Sequence, residues 1–331
     1  MVKIVFSNVA MKYTTLILEP IDYSKDALTT YRRVGPVYFF SELDGERKEK
    51  VLRSAHIVVV RLKYTLDEKW FSQMPNLKII ATPTTGLNHI DMDAAKKRGI
   101  RVMSLRGHSS FLKSIPSTAE ETMALALALV RKIPWAFEDI KKGNWNRDVW
   151  KGHQLIGKTF GIVGCGRLGK ITAKYAGAFG MRVIGYDPYV NETTMKRYGI
   201  KKVSLETLLT TSDIVTLHIL LTDETRECIK EKHFQMMKKT AHLINTARAE
   251  IIERNALIQA LKQKWIAGAA IDVMWDEEGK GRHLKKDPLW NYAKTHSNLI
   301  IVPHIGGATY EAMHITEEFI AKQVVEELGS R

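Results

Sequence analysis

A strand-like run, Thr159-Phe160-Gly161-Ile162-Val163, leads straight into Gly164-Cys165-Gly166-Arg167-Leu168-Gly169. A helix-compatible stretch from Lys170 to Phe179 follows, then a second strand-like run, Arg182-Val183-Ile184-Gly185-Tyr186, ending on Asp187. Together these form a complete mononucleotide-binding β-α-β pattern, which a bare glycine triplet would not. Gly164 permits the tight turn, Gly166 lets backbone approach a pyrophosphate, and Gly169 lets helix and strand pack closely. Amides at the helix start would face the phosphates, where the helix dipole favours negative charge. Asp187 stands 18 residues beyond Gly169, placed to accept hydrogen bonds from ribose hydroxyls. Its carboxylate would repel a 2′-phosphate, and Pro188, Tyr189 and Val190 after it bring no Arg, so NAD is expected over NADP. Arg167 can reach a phosphate from inside the loop, or simply be a solvated surface residue.

A bound nicotinamide cofactor implies hydride transfer, and carbonyl reduction needs a proton donor as well. His304, in Pro303-His304-Ile305-Gly306-Gly307 just after an apolar run, stands where such a donor belongs. An imidazole, ordinarily of pKa about 6.5, both donates and accepts near neutrality, and a carboxylate bonded to it would fix its tautomer. Asp276, Glu277 and Glu278 are the candidates for that carboxylate. An oxo-acid substrate also calls for a guanidinium able to grip carboxylate and carbonyl oxygen together. Arg248, at the end of Asn245-Thr246-Ala247-Arg248, is placed for it. Each has a plainer alternative: a structural histidine, a solvated acidic loop, an arginine capping a strand.

These residues need a scaffold of alternating strands and helices. Apolar runs at Val2–Phe6, His56–Val60, Leu77–Ala81 and Ile100–Met103 are separated by segments of helical length, as in a parallel sheet covered by helices. Further strands are expected at Ile214–Ile219, Ala241–Asn245, Ala267–Ile271 and Leu299–Val302. Ser117-Thr118-Ala119-Glu120 reads as a capping box opening a long helix through Lys132, with Pro134 marking its end or a kink. Its run Met123 to Leu129 is apolar nearly all round, predicting deep burial or a subunit contact. A final helix, Tyr310 to Leu328, can pack back on the first domain.

The chain resembles the D-isomer-specific 2-hydroxyacid dehydrogenase family over almost its whole length. Besides the glycine loop, the resemblance rests on Leu243-Ile244-Asn245-Thr246-Ala247-Arg248, Gly268-Ala269-Ala270-Ile271-Asp272-Val273 and Pro303-His304-Ile305-Gly306-Gly307-Ala308-Thr309, in family order. It implies an α/β protein of two doubly wound parallel-sheet domains. An NAD-binding Rossmann domain, residues 106–298, would be inserted in a flavodoxin-like substrate domain, residues 1–105 and 299–331. It implies an NAD-dependent 2-oxoacid reductase in which Arg248 anchors the carboxylate and polarises the carbonyl, His304 is the acid/base and Glu277 its partner. Asp272 would contact the nicotinamide amide. Thr84, Thr85 and Gly86, in Thr82-Pro83-Thr84-Thr85-Gly86-Leu87-Asn88-His89, would hold the carboxylate through backbone amides, with His89 structural. Leu168, Thr225, Thr246, Ala247, Gly306 and Gly307 would complete the cofactor site, and two domains would close over both ligands.

Some positions depart from the family pattern. Ala249 follows Arg248 where Gly is usual, Leu220 replaces a Pro, and Glu278 stands where Pro commonly follows the glutamate. Glu277 and His304 are 27 residues apart, a longer gap than usual, which the insert 278–286 accounts for. Asp276 or Glu278 therefore stays open as the histidine's partner. A second insert, Arg106 to Lys113, can overhang the substrate, with Arg106, His108 and Lys113 facing a second anionic group, or be a solvated hinge.

The 331 residues suffice for two cores, and 45% hydrophobic with 26% charged residues is ordinary globular composition. Two cysteines suit a reducing compartment, with Cys165 a space-filler in the glycine loop. No signal peptide, membrane span or metal-ligand spacing is read, so a cytoplasmic location is expected. The net charge of +14 is scattered, without the basic runs of a nucleic-acid arm. It fits an anionic small molecule better than nucleic acid or membrane as partner. The long apolar helix and the family imply a homodimer. A non-enzymatic NAD-sensing scaffold, like corepressor relatives on the same fold, is the alternative function; the intact triad and the lack of a long disordered tail argue against it. Glyoxylate, hydroxypyruvate, 3-phosphoglycerate and bulkier oxoacids all fit the anchor.

Overall fold

The computed structural model describes residues 12–277 and 284–329. The expected strand Val2–Phe6 and the candidate Glu278 lie outside the described residues. The chain divides into two compact units, Met1–Ile115 with Thr309–Arg331, and Pro116–Ala308.

The first unit holds a parallel sheet of β1 (Thr14–Ile17), β2 (Val37–Phe39), β3 (Ala55–Val59), β4 (Ile79–Thr82) and β5 (Arg101–Ser104), in the order β2-β1-β3-β4-β5. This is the flavodoxin-like order. Successive residues feed opposite faces, as the two-residue period of a strand requires. Leu16, Val58 and Ile80 join one core, while Ile17, Ile57, Val59, Ile79 and Ala81 join another on the far side. Both faces are therefore apolar, and both are covered by helices. The helix Tyr310–Gly329 packs against the helix Lys25–Arg32 and against β4. Its Glu317 is fully buried, accepts from the Ser24 amide at 2.7 Å and pairs with Arg61. The chain's C-terminal helix is thus tied electrostatically as well as by packing.

Residues 106–113 are in part the solvated segment expected, with Arg106, Ser109, Ser110 and Lys113 exposed. Ser109–Leu112 form one helical turn, Leu112 is buried, and the Phe111 ring stacks on Phe319 with centroids 3.9 Å apart. His108 meets the same Phe319 edge-on. Aromatic contact with the C-terminal helix anchors one side of this segment.

The second unit holds β6 (Thr159–Val163), β7 (Arg182–Tyr186), β8 (Lys201–Lys202), β9 (Ile214–Leu217), β10 (His242–Asn245), β11 (Gly268–Ile271) and β12 (Leu299–Ile301). All are parallel, in the order β12-β11-β10-β9-β6-β7-β8. The order reverses between β6 and β9, the switch point where doubly wound sheets bind ligands. Here the strand at 299–302 departs from the sequence reading, which placed it with the C-terminal helix in the substrate domain. It pairs with β11 through Ala269–Leu299 and Ile271–Ile301, so it closes the edge of the larger sheet. Residues 106–115, assigned by sequence to the cofactor domain, belong to the first unit.

The helix Ser117–Val130 lacks the expected capping box. Pro116 occupies the N-cap with no side-chain cap bond, and its carbonyl accepts from Ala119 at 2.7 Å. Ser117 is already helical. The apolar run is explained within the unit, because Met123, Leu125, Ala126, Leu129 and Val130 pack with Phe160, Ile162, Ile244 and Ala270 of the sheet. At Lys132 the backbone turns left-handed, and a new helix, Ile133–Lys141, starts with Pro134 in its first turn. Proline suits that place, since first-turn amides have no helical acceptor.

Candidate functional site

The glycine loop joins β6 to the helix Arg167–Ala178 at the switch point, and its shape requires glycine. Gly164 has φ +94°, and a Cβ there would lie 2.7 Å from the carbonyl carbon and oxygen of His218, just past β9. A Cβ on Gly169 would collide with the Gly164 carbonyl oxygen, whereas one on Gly166 would meet only open space. Gly166 is the N-cap of the helix and carries no side chain into the approach to its first-turn amides. The chain thus brings backbone amides to a positive helix end with no side chain at its N-cap, as a pyrophosphate cradle needs. Cys165 points inward, fully buried, and burial followed by the Asp187 charge pushes its thiol up to about 12. It fills space and does no thiolate chemistry at neutral pH.

Asp187 is tied more firmly than its expected ribose role requires. Its Oδ2 accepts from the Cys165 amide at 2.9 Å, and its Oδ1 from the Tyr189 and Val190 amides at 2.8 and 3.1 Å. It therefore couples the end of β7 to the glycine loop, so the carboxylate is held in place before any ligand arrives. Tyr189, two residues on, donates its hydroxyl to Glu224 at 2.8 Å. Thr225, expected near the cofactor, folds its own loop: its hydroxyl accepts from the Thr222 amide at 2.8 Å and bonds the Leu220 carbonyl.

Three of the expected residues meet at the carboxyl ends of β11 and β12. His304 Nδ1 lies 2.5 Å from Glu277 Oε2, and Glu277 Oε1 accepts from the Met274 amide at 2.7 Å. The pairing fixes the proton on Nδ1 and leaves Nε2 for a reacting group. Among the rivals for this partnership, Asp276 pairs instead with Arg254. His304 itself sits in the left-handed region at φ 56°, an uncommon conformation for a non-glycine residue. Asp272, buried to 1% exposure, accepts from the Ile305 amide at 2.6 Å and the Gly306 amide at 2.9 Å. Thr118 adds a bond to the Gly306 carbonyl at 3.0 Å. The turn carrying His304 is thus held from β11 and from the helix Ser117–Val130 together.

Arg248 leaves the end of β10, whose Asn245 stands in register with Ile271 immediately before Asp272. Its Nη1 donates to the Ala247 carbonyl at 2.6 Å. The turn is clamped by Asn245, which accepts from the Ala247 amide and donates to the Arg248 carbonyl, both at 3.0 Å. Sequence reasoning did not assign Asn245 a role; the available signal was an asparagine at a strand end, a residue type that satisfies nearby backbone. Ala249, in the usual glycine position, has no positive φ and opens a short 3-10 helix. Alanine is therefore tolerated. Thr246 is buried against Thr122, hydroxyl to hydroxyl at 2.9 Å.

In the first unit Thr84 bonds the Gly86 carbonyl and the Thr82 hydroxyl, each at 2.8 Å. Among the described residues no acceptor pairs with the backbone N–H groups of Thr84, Thr85 or Gly86. His89 is buried with Nε2 3.2 Å from the Thr82 hydroxyl, a structural placement.

The family model described as D-isomer specific 2-hydroxyacid dehydrogenase, NAD binding domain, matches residues 123–306. The chain is 38% identical over 288 residues to a glyoxylate reductase of Thermococcus litoralis, covering 85% of this chain and 82% of that protein. It is 35% identical over 310 residues to a D-3-phosphoglycerate dehydrogenase of Methanocaldococcus jannaschii, covering 93% of this chain but 56% of that longer protein. Among solved structures, D-lactate dehydrogenase from Aquifex aeolicus, complexed with NAD and lactic acid, superposes with a TM-score of 0.76 at 30% identity, covering 94% of each chain. On this evidence, and on the glycine cradle and the carboxylate–histidine pair, the chain belongs to the D-isomer-specific 2-hydroxyacid dehydrogenase family.

Proposed function

We propose that the protein is an NAD-dependent D-2-hydroxyacid dehydrogenase that reduces a small 2-oxo acid. The observation that carries this reading is the 2.5 Å contact of His304 with Glu277 beside the Asp272-held turn, in the unit that bears the glycine loop. Bound NADH supplies the hydride for the carbonyl carbon. His304 supplies a proton from Nε2 to the carbonyl oxygen, and Glu277 stabilises the imidazolium before transfer and fixes the ring. Arg248 would swing from its own backbone to a substrate carboxylate, exchanging a neutral acceptor for a charged one. Thr84, Thr85 and Gly86 are the proposed carboxylate-binding backbone of the first unit. Gly164, Gly166, Arg167, Leu168, Gly169, Asp187, Thr246, Ala247, Asp272, Gly306 and Gly307 are the proposed cofactor contacts. Thr225 belongs to the same set through the loop it shapes.

The reading includes a cytoplasmic protein acting as a homodimer, with neither nucleic acid nor membrane as partner. The helix Ser117–Val130 is consumed by its own sheet, so it does not support the dimer. The next helix does, because Ile133, Phe137 and Ile140 are 54%, 61% and 46% exposed along one face. No helix among the described residues is long and apolar enough to cross a membrane.

The test is NADH oxidation with glyoxylate, hydroxypyruvate, pyruvate and a phosphorylated oxoacid, run beside NADPH. Turnover with at least one acid and a preference for NADH are expected. No turnover with any acid would support the scaffold reading instead, and sedimentation of a monomer would remove the dimer.

A further inference from the structure

The buried carboxyl of Glu121 has no part in the chemistry above. It lies on the helix Ser117–Val130, where both of its oxygens are buried and neither has a hydrogen-bond partner among the described residues. The group it faces is another acid. A Cβ built on Gly306 would stand 2.5 Å from Glu121 Oε2 and 3.0 Å from Asp272 Oδ2, so the two carboxyls converge on that glycine. Two carboxylates cannot both stay ionised at such a place without a counter-ion. One proton shared between them removes the repulsion and supplies the missing donor.

We propose that Glu121 is a positioning residue held as the neutral acid, donating its proton to Asp272 and so fixing the Ile305–Gly306 turn and the carboxylate expected to meet the nicotinamide amide. This rests on the NAD-binding reading of the unit.

The proton belongs on Glu121 because of what surrounds each group. Asp272 receives two backbone N–H bonds, which favour its charged form, and His304 acts on it in the same sense. Glu121 receives none among the described residues. Burial, then the Asp272 charge, push Glu121 up to about 8. Burial raises Asp272 also, but the Gly306 and Ile305 amides oppose it. Other nearby charges are engaged elsewhere: Glu120 interacts with Tyr175 of the helix Arg167–Ala178, and Glu277 is bound to His304. Gly306 allows the arrangement, since a side chain there would part the two acids.

A folded pKa raised above that of the unfolded chain has a definite sign. The native state holds a proton that the unfolded state has lost, so stability falls as pH rises from about 4.5 to about 8 and is level beyond. Ionisation of Glu121 then sets two anions against the turn and weakens cofactor binding on the alkaline side.

The experiment compares wild type, Glu121→Gln and Glu121→Met as apoprotein melting curves and as NADH titrations by fluorescence, each from about pH 5 to about pH 9.5. Glu121→Gln keeps a donor and cannot ionise. It should flatten the fall in melting temperature and keep NADH affinity within about twofold where wild type loses roughly tenfold. Glu121→Met, with neither donor nor charge, should bind NADH more weakly than Glu121→Gln at every pH. In wild type labelled at its glutamate carboxyls, NMR should show one in the second unit still protonated at neutrality. The same alkaline loss in wild type and Glu121→Gln, or equal behaviour of Gln and Met, would overturn the role of Glu121. So would absence of that protonated carboxyl, which decides the matter even if both variants fail to fold. Failure of wild type to bind NADH at any pH would overturn the NAD reading instead.

Discussion

Glu277 joins His304 to the start of its own loop: one oxygen lies 2.5 Å from His304 Nδ1 and the other accepts the Met274 amide at 2.7 Å. The carboxylate is fixed at both ends, so the ring it holds inherits the position of β11, which ends at Ile271. That link matters because His304 stands in a left-handed backbone conformation that its neighbours must enforce.

The first prediction concerns this pair. His304→Gln should lower kcat by about 10²–10⁴ while NADH binding stays nearly unchanged, the ordinary contribution of a general acid. Glu277→Gln, which keeps a neutral acceptor, should lose about 10–100-fold. Steady-state reduction of the best oxoacid, paired with NADH titrations, checks both. A His304→Gln enzyme with wild-type kcat would sink the acid assignment.

Arg248 should act through substrate rather than cofactor. Arg248→Lys keeps the charge but loses the planar fork, so KM for the oxoacid should rise roughly tenfold or more with NADH affinity unchanged. An unchanged KM would show that the carboxylate is gripped elsewhere.

Asp187 has two jobs, and one substitution should separate them. Asp187→Asn can still accept the Tyr189 and Val190 amides but turns a donor towards the Cys165 amide. NADH affinity should fall roughly tenfold, while the ratio of NADPH to NADH affinity rises by about as much. Equal losses for both cofactors would mean that the carboxylate only shapes the loop.

Acid sensitivity should come from two half-buried imidazoles, those of His218 and His242. Burial pushes His218 and His242 down to about 4. The unfolded chain takes up protons from about pH 6.5 downward while the folded one does not, so stability is lost as pH falls from about 6.5 to about 4. Each contributes on the order of 1–3 kcal/mol. His242→Gln should flatten the acid limb of the melting temperature, and an unaltered limb would contradict the assignment.

Much of this was legible from the chain alone. The glycine loop, both flanking strands and Asp187 lie within 29 residues, from Thr159 to Asp187, and local backbone geometry dictates their spacing. Apolar runs likewise announced β3, β4 and β5, whereas β2, three residues long, is too short to display a period, and β1, no shorter than β4 or β5, opens on the polar pair Thr14-Thr15. The edge strand Leu299–Ile301 was read as a strand but assigned to the wrong sheet, because sheet membership is a pairing between distant segments.

The same division holds at the site. The residue types and order by themselves determined an NAD cradle, a histidine after a strand and an arginine at a strand end, since each depends on chemistry carried within a few residues. Only the tertiary structure chose Glu277 over Asp276, by sending Asp276 to Arg254. It alone set Glu121 against Asp272, residues 151 positions apart in the chain. Hydrogen bonds and burial act over a few ångströms in space, and no local pattern records which distant acid will be enclosed beside which.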